Sequence, residues 1–271
     1  MRRLDAELVT RGLARSRAEA QLAITEGRVV VEGMPATKAA RTVSPQSSIK
    51  LVELEKSYVS RGAFKLIGAL DAFGIDVAGA VVLDAGASTG GFTEVVLERG
   101  AAQVLAVDVG YGQLAWSLRS DDRVVVMERT NVRHLEPEML SVVPNLIVAD
   151  LSFISLTSVL PALSKVVAPS GEMVLMVKPQ FEAGKAIVNA HHGVIKDPEV
   201  RVSCVVKVAQ CAIDAGWLVA GIAASPLPGP KGNVEYFLWL SHSFDVLAMQ
   251  TGEDAADLEV LVSQAVALGP S

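Results

Sequence analysis

Little in this chain can stack on bases, crosslink or cross a membrane. Aromatic residues make up 5% of its 271 residues, too few for extended base-stacking platforms. It has two cysteines, Cys204 and Cys211. They fall on one helical pattern and read as reduced thiols on a core-facing stripe, supplying neither a disulfide framework nor a metal motif. The longest uncharged stretch, Ala215–Pro230, is interrupted by three glycines and three prolines, so no segment is expected to span a bilayer. The start, Met1-Arg2-Arg3-Leu4-Asp5, is charged and lacks the apolar run of a secretory signal. A soluble, cytoplasmic protein is expected. Positive charge is also scarce overall, with a net charge of -6, which taken alone argues against a nucleic-acid binder.

What is present is apolar mass and an uneven distribution of charge. Hydrophobic residues account for 51% of the chain and charged ones for 20%, enough to bury a substantial core. The first fifty residues hold nine basic side chains (Arg2, Arg3, Arg11, Arg15, Arg17, Arg28, Lys38, Arg41, Lys50) against five acids (Asp5, Glu7, Glu19, Glu26, Glu32), a local net of +4 that leaves -10 for the remainder. A small basic module joined to a larger acidic body is expected, divided as residues 1–55, a linker at 56–60, and residues 61–271.

Within the basic module, Leu4 and Leu8 lie on one face of a short helix closed by Gly12. Ser16-Arg17-Ala18-Glu19 is a capping box that opens a second helix, which stops at Gly27. Arg28–Val31 reads as a strand, Glu32–Pro35 as its turn, and Ile49–Val52 as another strand. The series Leu4-Asp5, Arg11-Gly12, Ser16-Arg17, Ala20, Ile24, Gly27, Val29, Val31, Gly33 resembles the S4 domain, a small α+β RNA-binding module. That resemblance implies contact with RNA phosphates through Arg3, Arg11, Arg15, Arg17 and Lys38.

The larger body alternates strand and helix. Ser60 can cap a helix that carries Lys65 and ends at Gly74. Strands are expected at Val81–Leu83, Val104–Val107, Val124–Met127, Leu146–Ala149, Met173–Val177, Val219–Ala224 and Phe237–Leu240. Helices are expected at Thr93–Arg99, Gln113–Arg119, Ser155–Leu163 and Pro198–Ala215. Continuous apolar strands between amphipathic helices predict an α/β fold with a mainly parallel sheet covered on both faces.

The first of these strands runs into Asp84-Ala85-Gly86-Ala87-Ser88-Thr89-Gly90-Gly91. This is neither a Gly-x-Gly-x-x-Gly fingerprint nor a Walker loop, which lowers the dinucleotide and ATP readings. Gly86, Gly90 and Gly91 allow a ligand close to the backbone, and Asp84 suits an amine. Asp108, at the end of the next strand, suits ribose hydroxyls. S-adenosylmethionine carries both an amine and a ribose. Asn131 fits either an adenine edge or a turn.

Five segments resemble the RrmJ/FtsJ-type RNA 2′-O-methyltransferases, a Rossmann-like class: Ser60–Leu66, Asp84–Phe92, Val148–Ser152, Leu175–Glu182 and Gly232–Phe237. The resemblance implies a Lys-Asp-Lys-Glu tetrad at Lys65, Asp150, Lys178 and Glu235, with S-adenosylmethionine as cofactor. Ser88-Thr89 stand where the class often has Ala-Pro, and Ser88 is kept among the expected cofactor contacts. With an S4-like module in front, the whole chain is most similar to the TlyA family, also labelled hemolysin A. That similarity implies 2′-O-methylation of cytidines in ribosomal RNA, with ribosomal subunits as partner and no obligate protein partner. Lys178 would serve either as base or as oxyanion-stabilising cation. Asp150 and Glu235 would orient the lysines, and Lys65 would position the ribose or its phosphate.

A membrane-lytic role has no basic amphipathic helix to carry it. His191-His192 are adjacent in a Gly-containing loop, poor geometry for shared ligation, so no metal site is expected. Phe181–Ile195 reads as an irregular lid or loop. Ser225–Gly232 reads as a rigid approach to Glu235 that brings Lys231 toward RNA phosphate.

Overall fold

In the computed structural model, residues 2–25, 28–36, 38–51, 58–242 and 258–269 are described. Two compact units result, residues 1–57 and 58–271. The expected linker at 56–60 lies partly outside the described residues.

In the first unit, β1 (Arg2–Arg3), α1 (Leu4–Thr10), α2 (Arg17–Thr25), β2 (Val29–Val31), β3 (Met34–Pro35), β4 (Thr42–Val43) and β5 (Ile49–Leu51) follow one another. Leu4, Leu8, Ala20, Ile24, Val29 and Val31 close a small core. The capping box forms, with Glu19 N–H donating to Ser16 Oγ at 3.2 Å. The Glu19 carboxylate reaches back to Arg15 N–H at 2.6 Å rather than to Ser16. The expected turn at 32–35 is tighter than anticipated. Glu32 and Gly33 both take positive φ, 53° and 78°, the geometry of a two-residue hairpin. Met34 and Pro35 therefore already pair with Val31 and Val30. The pairing of β1 with β4 has no periodicity long enough to be seen in sequence.

All seven strands expected in the second unit form one sheet: β6 (Val81–Ala85), β7 (Gln103–Val107), β8 (Val124–Met127), β9 (Leu146–Ala149), β10 (Glu172–Val177), β11 (Leu218–Ala224) and β12 (Tyr236–Ser241), ordered β11-β12-β10-β9-β6-β7-β8. The pairs β6–β7, β7–β8, β6–β9 and β9–β10 are parallel, whereas β12 is antiparallel to both β10 and β11. One apolar cluster occupies each face of the sheet. The helices are α3 (Gly62–Phe73), α4 (Gly91–Glu98), α5 (Trp116–Arg119), α6 (Leu160–Val166), α7 (Pro179–Glu182), α8 (Lys185–Ala190), α9 (Pro198–Asp214) and α10 (Leu258–Leu268). No described helix is long and apolar enough to cross a membrane.

Three helical expectations need correction. The helix expected over Gln113–Arg119 is only the single turn α5, because Ala115 N–H is drawn to Thr89 C=O at 3.1 Å and Gly112 takes φ 68°. The helix expected over Ser155–Leu163 divides into a 3-10 turn capped by Ser155 and then α6, where Pro161 occupies the first turn and needs no N–H partner. The segment Phe181–Ile195 is not irregular. It holds the end of α7 and all of α8, separated by Gly184 at φ 81°.

Candidate active site

The sheet reverses its winding direction between β6 and β9. Ligands of open α/β sheets bind beyond the C-terminal strand ends at such a point. Ala85 and Ala149 are in register there, and Asp150 N–H donates to Ala85 C=O at 3.0 Å. Gly86 follows at φ 90°, and a Cβ on it would lie 2.6 Å from the Asp150 carbonyl oxygen. Only glycine fits so close a backbone approach.

The fold then brings together Lys65, Asp150, Lys178 and Glu235. Asp150 leaves β9 and Lys178 leaves β10, its parallel neighbour. Val177 is paired with Tyr236, so Lys178 and Glu235 occupy the next cross-strand position. Lys65 arrives from α3, whose start is capped by Ser60 Oγ accepting from Gly62 N–H at 3.0 Å. Two ion pairs result. Lys178 Nζ lies 2.5 Å from Asp150 Oδ1 and donates to Ser152 Oγ at 3.0 Å. Lys65 is paired with Glu235, both buried. All four residues line one cavity of about 280 Å³, together with Ser60, Arg61, Gly86, Ser88 and Gly91.

A second cavity of about 510 Å³ adjoins the first through Gly86, Ser88, Asp150 and Ser152, and adds Asp108, Gln113, Asn131 and Phe153. Asp108 accepts from Ser88 N–H at 2.8 Å and Gly110 N–H at 2.6 Å, which fixes its carboxylate at the cavity wall. Asn131 satisfies both of its expected readings in part. Its Oδ1 caps a 3-10 turn by accepting from Arg133 N–H at 3.0 Å, and the residue also lines the cavity. The pair of cavities suits a ligand with a ribose near Asp108 and a reacting end near Lys178, and their size lies in the range of small-molecule sites.

Two expected cofactor residues are placed elsewhere. The strand β6 extends two residues beyond its expected end, and the alternation of side chains turns Asp84 away from the cavities toward α4. It is buried, accepts from Thr93 Oγ1 at 2.7 Å, and burial pushes its carboxyl up to about 7. Direct pairing with a ligand amine is therefore not its position here. Gly90, at φ 102°, packs instead of lining: a Cβ there would fall 2.2 Å from Leu118 Cδ1.

In the first unit Arg3, Arg15, Arg17 and Lys38 are exposed. Arg11 is not available in the same way. Its guanidinium bonds Glu7 and the carbonyls of Ser44, Pro45 and Ser47, and so holds that turn.

Sequence reasoning missed Ser152, Arg61 and Phe153. Arg61 donates to Pro228 C=O at 3.3 Å. Phe153 is 91% exposed at φ 64°, a conformation rare for a bulky residue. Its ring centroid lies 5.2 Å from that of Phe181. Both aromatics, with Lys178, Pro230 and Lys231, line a third cavity of about 350 Å³. The available signals were that Ser152 stands two residues after Asp150 and that Arg61 lies within the Ser60–Leu66 segment.

The family model of FtsJ-like methyltransferases matches residues 58–242. The chain belongs to this family. The S4-domain model matches residues 2–49, so this FtsJ-like methyltransferase carries an S4 domain. Its methyl donor is S-adenosylmethionine. The chain is 55% identical to the 16S/23S rRNA (cytidine-2′-O)-methyltransferase TlyA of Mycobacterium tuberculosis, over 99% of this chain and 98% of that one. It is 40% identical to Hemolysin A of Brachyspira hyodysenteriae, over 86% of this chain and 97% of that one. The solved structure of a hemolysin-type protein from Streptococcus thermophilus matches with a TM-score of 0.70 at 36% identity, covering 97% of this chain and 95% of that one.

Proposed function

We propose that this methyltransferase modifies the ribose 2′-oxygen of cytidines in ribosomal RNA, with Lys65, Asp150, Lys178 and Glu235 as its reaction centre and the S4 unit as an RNA dock. The observation that carries this reading is the convergence of two lysine–carboxylate pairs in one cavity next to a nucleoside-sized one. The 55% identity to a TlyA enzyme supports the substrate class. A ribosomal RNA substrate supports a cytoplasmic location.

S-adenosylmethionine, when bound, supplies an electrophilic methyl group. Asp108 and Asn131 would hold the nucleoside, while the backbone around Gly86 and Ser88 would hold the remainder. The 2′-hydroxyl is a weak nucleophile, and its proton must leave as its oxygen gains the methyl. Lys178 Nζ hydrogen-bonds that oxygen. It gives one of its own protons to the Asp150 carboxylate and takes the 2′-hydroxyl proton in exchange, so that the released proton ends on Asp150 and Nζ ends as a cation beside the oxygen, where it offsets developing negative charge. The 2.5 Å contact is the path. Ser152 fixes the direction of Nζ. Glu235 holds Lys65, which faces the sugar or its neighbouring phosphate. Phe153 and Phe181 offer a stacking surface for the target base, and Lys231 a phosphate contact. Mass-spectrometric mapping of ribosomal RNA from cells with and without the gene tests the substrate. Loss of 2′-O-methylcytidine is expected, and an unchanged methylation map contradicts the reading.

A further inference from the structure

In the S4 unit one buried carboxylate gathers the basic side chains. Asp5, the second residue of α1, is 0% exposed. Its Oδ1 accepts from Arg3 Nε at 3.1 Å and from Ala6 N–H at 2.9 Å. Its Oδ2 accepts from Arg3 Nη2, Arg17 Nη2 and Gln21 Nε2, each at 3.0 Å. The side-chain donors come from β1, from the first residue of α2, and from one turn further along α2. Both arginines nevertheless stay half open, with side chains 48% and 59% exposed.

Burying an acid is costly unless donors surround it. Here the compensating donors are those that face outward on the basic side of the unit. The two Nη2 atoms sit 3.0 Å from the same oxygen, so they lie within 6.0 Å of each other. Each guanidinium keeps donors that Asp5 does not use. A phosphodiester presents two unbridged oxygens, and a pair of planar forks anchored at that spacing can each bond one of them.

We propose that Asp5 is a positioning residue for RNA docking, locking Arg3 and Arg17 into a two-guanidinium clamp for one phosphodiester of the substrate RNA. This rests on the reading that the S4 unit docks RNA. The direction of the effect separates positioning from simple charge. An acid beside a phosphate repels it, so on charge alone the removal of Asp5 strengthens RNA binding. Removal of a positioning acid weakens it.

The test is binding of the full-length protein to deproteinised ribosomal RNA over a salt series. Asp5→Asn is expected to weaken binding about three- to tenfold and to flatten the salt dependence, although it removes one negative charge. In an Arg17→Ala background it should do much less. Equal or tighter binding by folded Asp5→Asn overturns the proposal. Should Asp5→Asn lose the fold by circular dichroism, Arg17→Lys decides. It keeps the charge but loses the fork, so a similar weakening is expected and unchanged affinity overturns the clamp. Arg3→Ala and Arg17→Ala distinguish the two levels. If neither changes RNA binding, the docking role of this face fails. If both do and Asp5→Asn does not, only the assignment of Asp5 fails.

Discussion

Lys178 and Asp150 meet at 2.5 Å across the adjoining C-terminal ends of two parallel strands. The parallel register of β9 and β10 sets the two backbones at this spacing, so the sheet brings the pair together. Asp150→Asn keeps the shape of the side chain and removes its capacity to take the proton. Its kcat for methyl transfer should fall by about 100- to 10,000-fold, the range of a lost proton-transfer partner. The KM for RNA should change little, and a variant within tenfold of wild-type kcat would argue against the relay.

The Lys65–Glu235 pair is buried more deeply. Truncating one partner leaves an uncompensated charge, so Glu235→Ala should cost about 3–5 kcal/mol of stability as well as activity. Replacing both residues by apolar ones of similar volume should restore most of the stability and none of the methyl transfer. Urea denaturation alongside a methyl-transfer assay separates these two outcomes.

Asp84 gives a pH signature. Burial raises its carboxyl from 3.8 to about 7, so between those values the folded chain holds a proton that the unfolded chain has released. The contribution of Asp84 to stability is therefore present at low pH and is lost as pH rises through that window. Asp84→Asn abolishes the loss. Its stability relative to wild type should climb between about pH 4 and 7, by up to the order of 4 kcal/mol. A difference that stays flat across that range would contradict the assignment.

Phe153 holds its strained backbone in exchange for an exposed ring. Phe153→Gly should leave the melting temperature unchanged or raise stability by about 1 kcal/mol, since glycine adopts positive φ without strain. The same variant should raise the KM for RNA while S-adenosylmethionine binding, measured calorimetrically, stays as in wild type.

Two arginines of the S4 unit should differ in what their loss costs. Arg11→Ala removes the bonds that hold the Ser44–Ser47 turn and should lower the unfolding midpoint of this unit, by about 1–3 kcal/mol. Arg17→Ala leaves Asp5 its bonds from Arg3, Gln21 and Ala6; it should lower that midpoint less than Arg11→Ala does and weaken RNA binding. Thermal melts paired with RNA titrations check both.

Strand positions were legible as short apolar runs, four of them closed by an acid (Asp84, Asp108, Glu128, Asp150), and Asp150 and Lys178 were legible at the ends of such runs, whereas Lys65 and Glu235 rested on the family resemblance. What brings the four together was not legible. The antiparallel insertion of β12, which sets Glu235 beside Lys178, leaves no trace in periodicity. Asp84 was misplaced because two further residues joined β6, and one step of alternation decides which face a side chain takes. Arg11 and Arg17 look alike in sequence, and only tertiary structure commits Arg11 to the turn near residue 45 while Arg17, bonded to Asp5, keeps a half-exposed side chain. The strain at Phe153 is a property of φ, which no residue type announces.

Everything proposed for this site turns on Lys178 acting on the 2′-oxygen. The most direct test of that role is single-turnover methyl transfer by Lys178→Ala to unmodified ribosomal subunits, with S-adenosylmethionine binding measured on the same protein. No detectable transfer and a cofactor affinity close to wild type are expected. Substantial transfer by a cofactor-saturated Lys178→Ala would contradict that role.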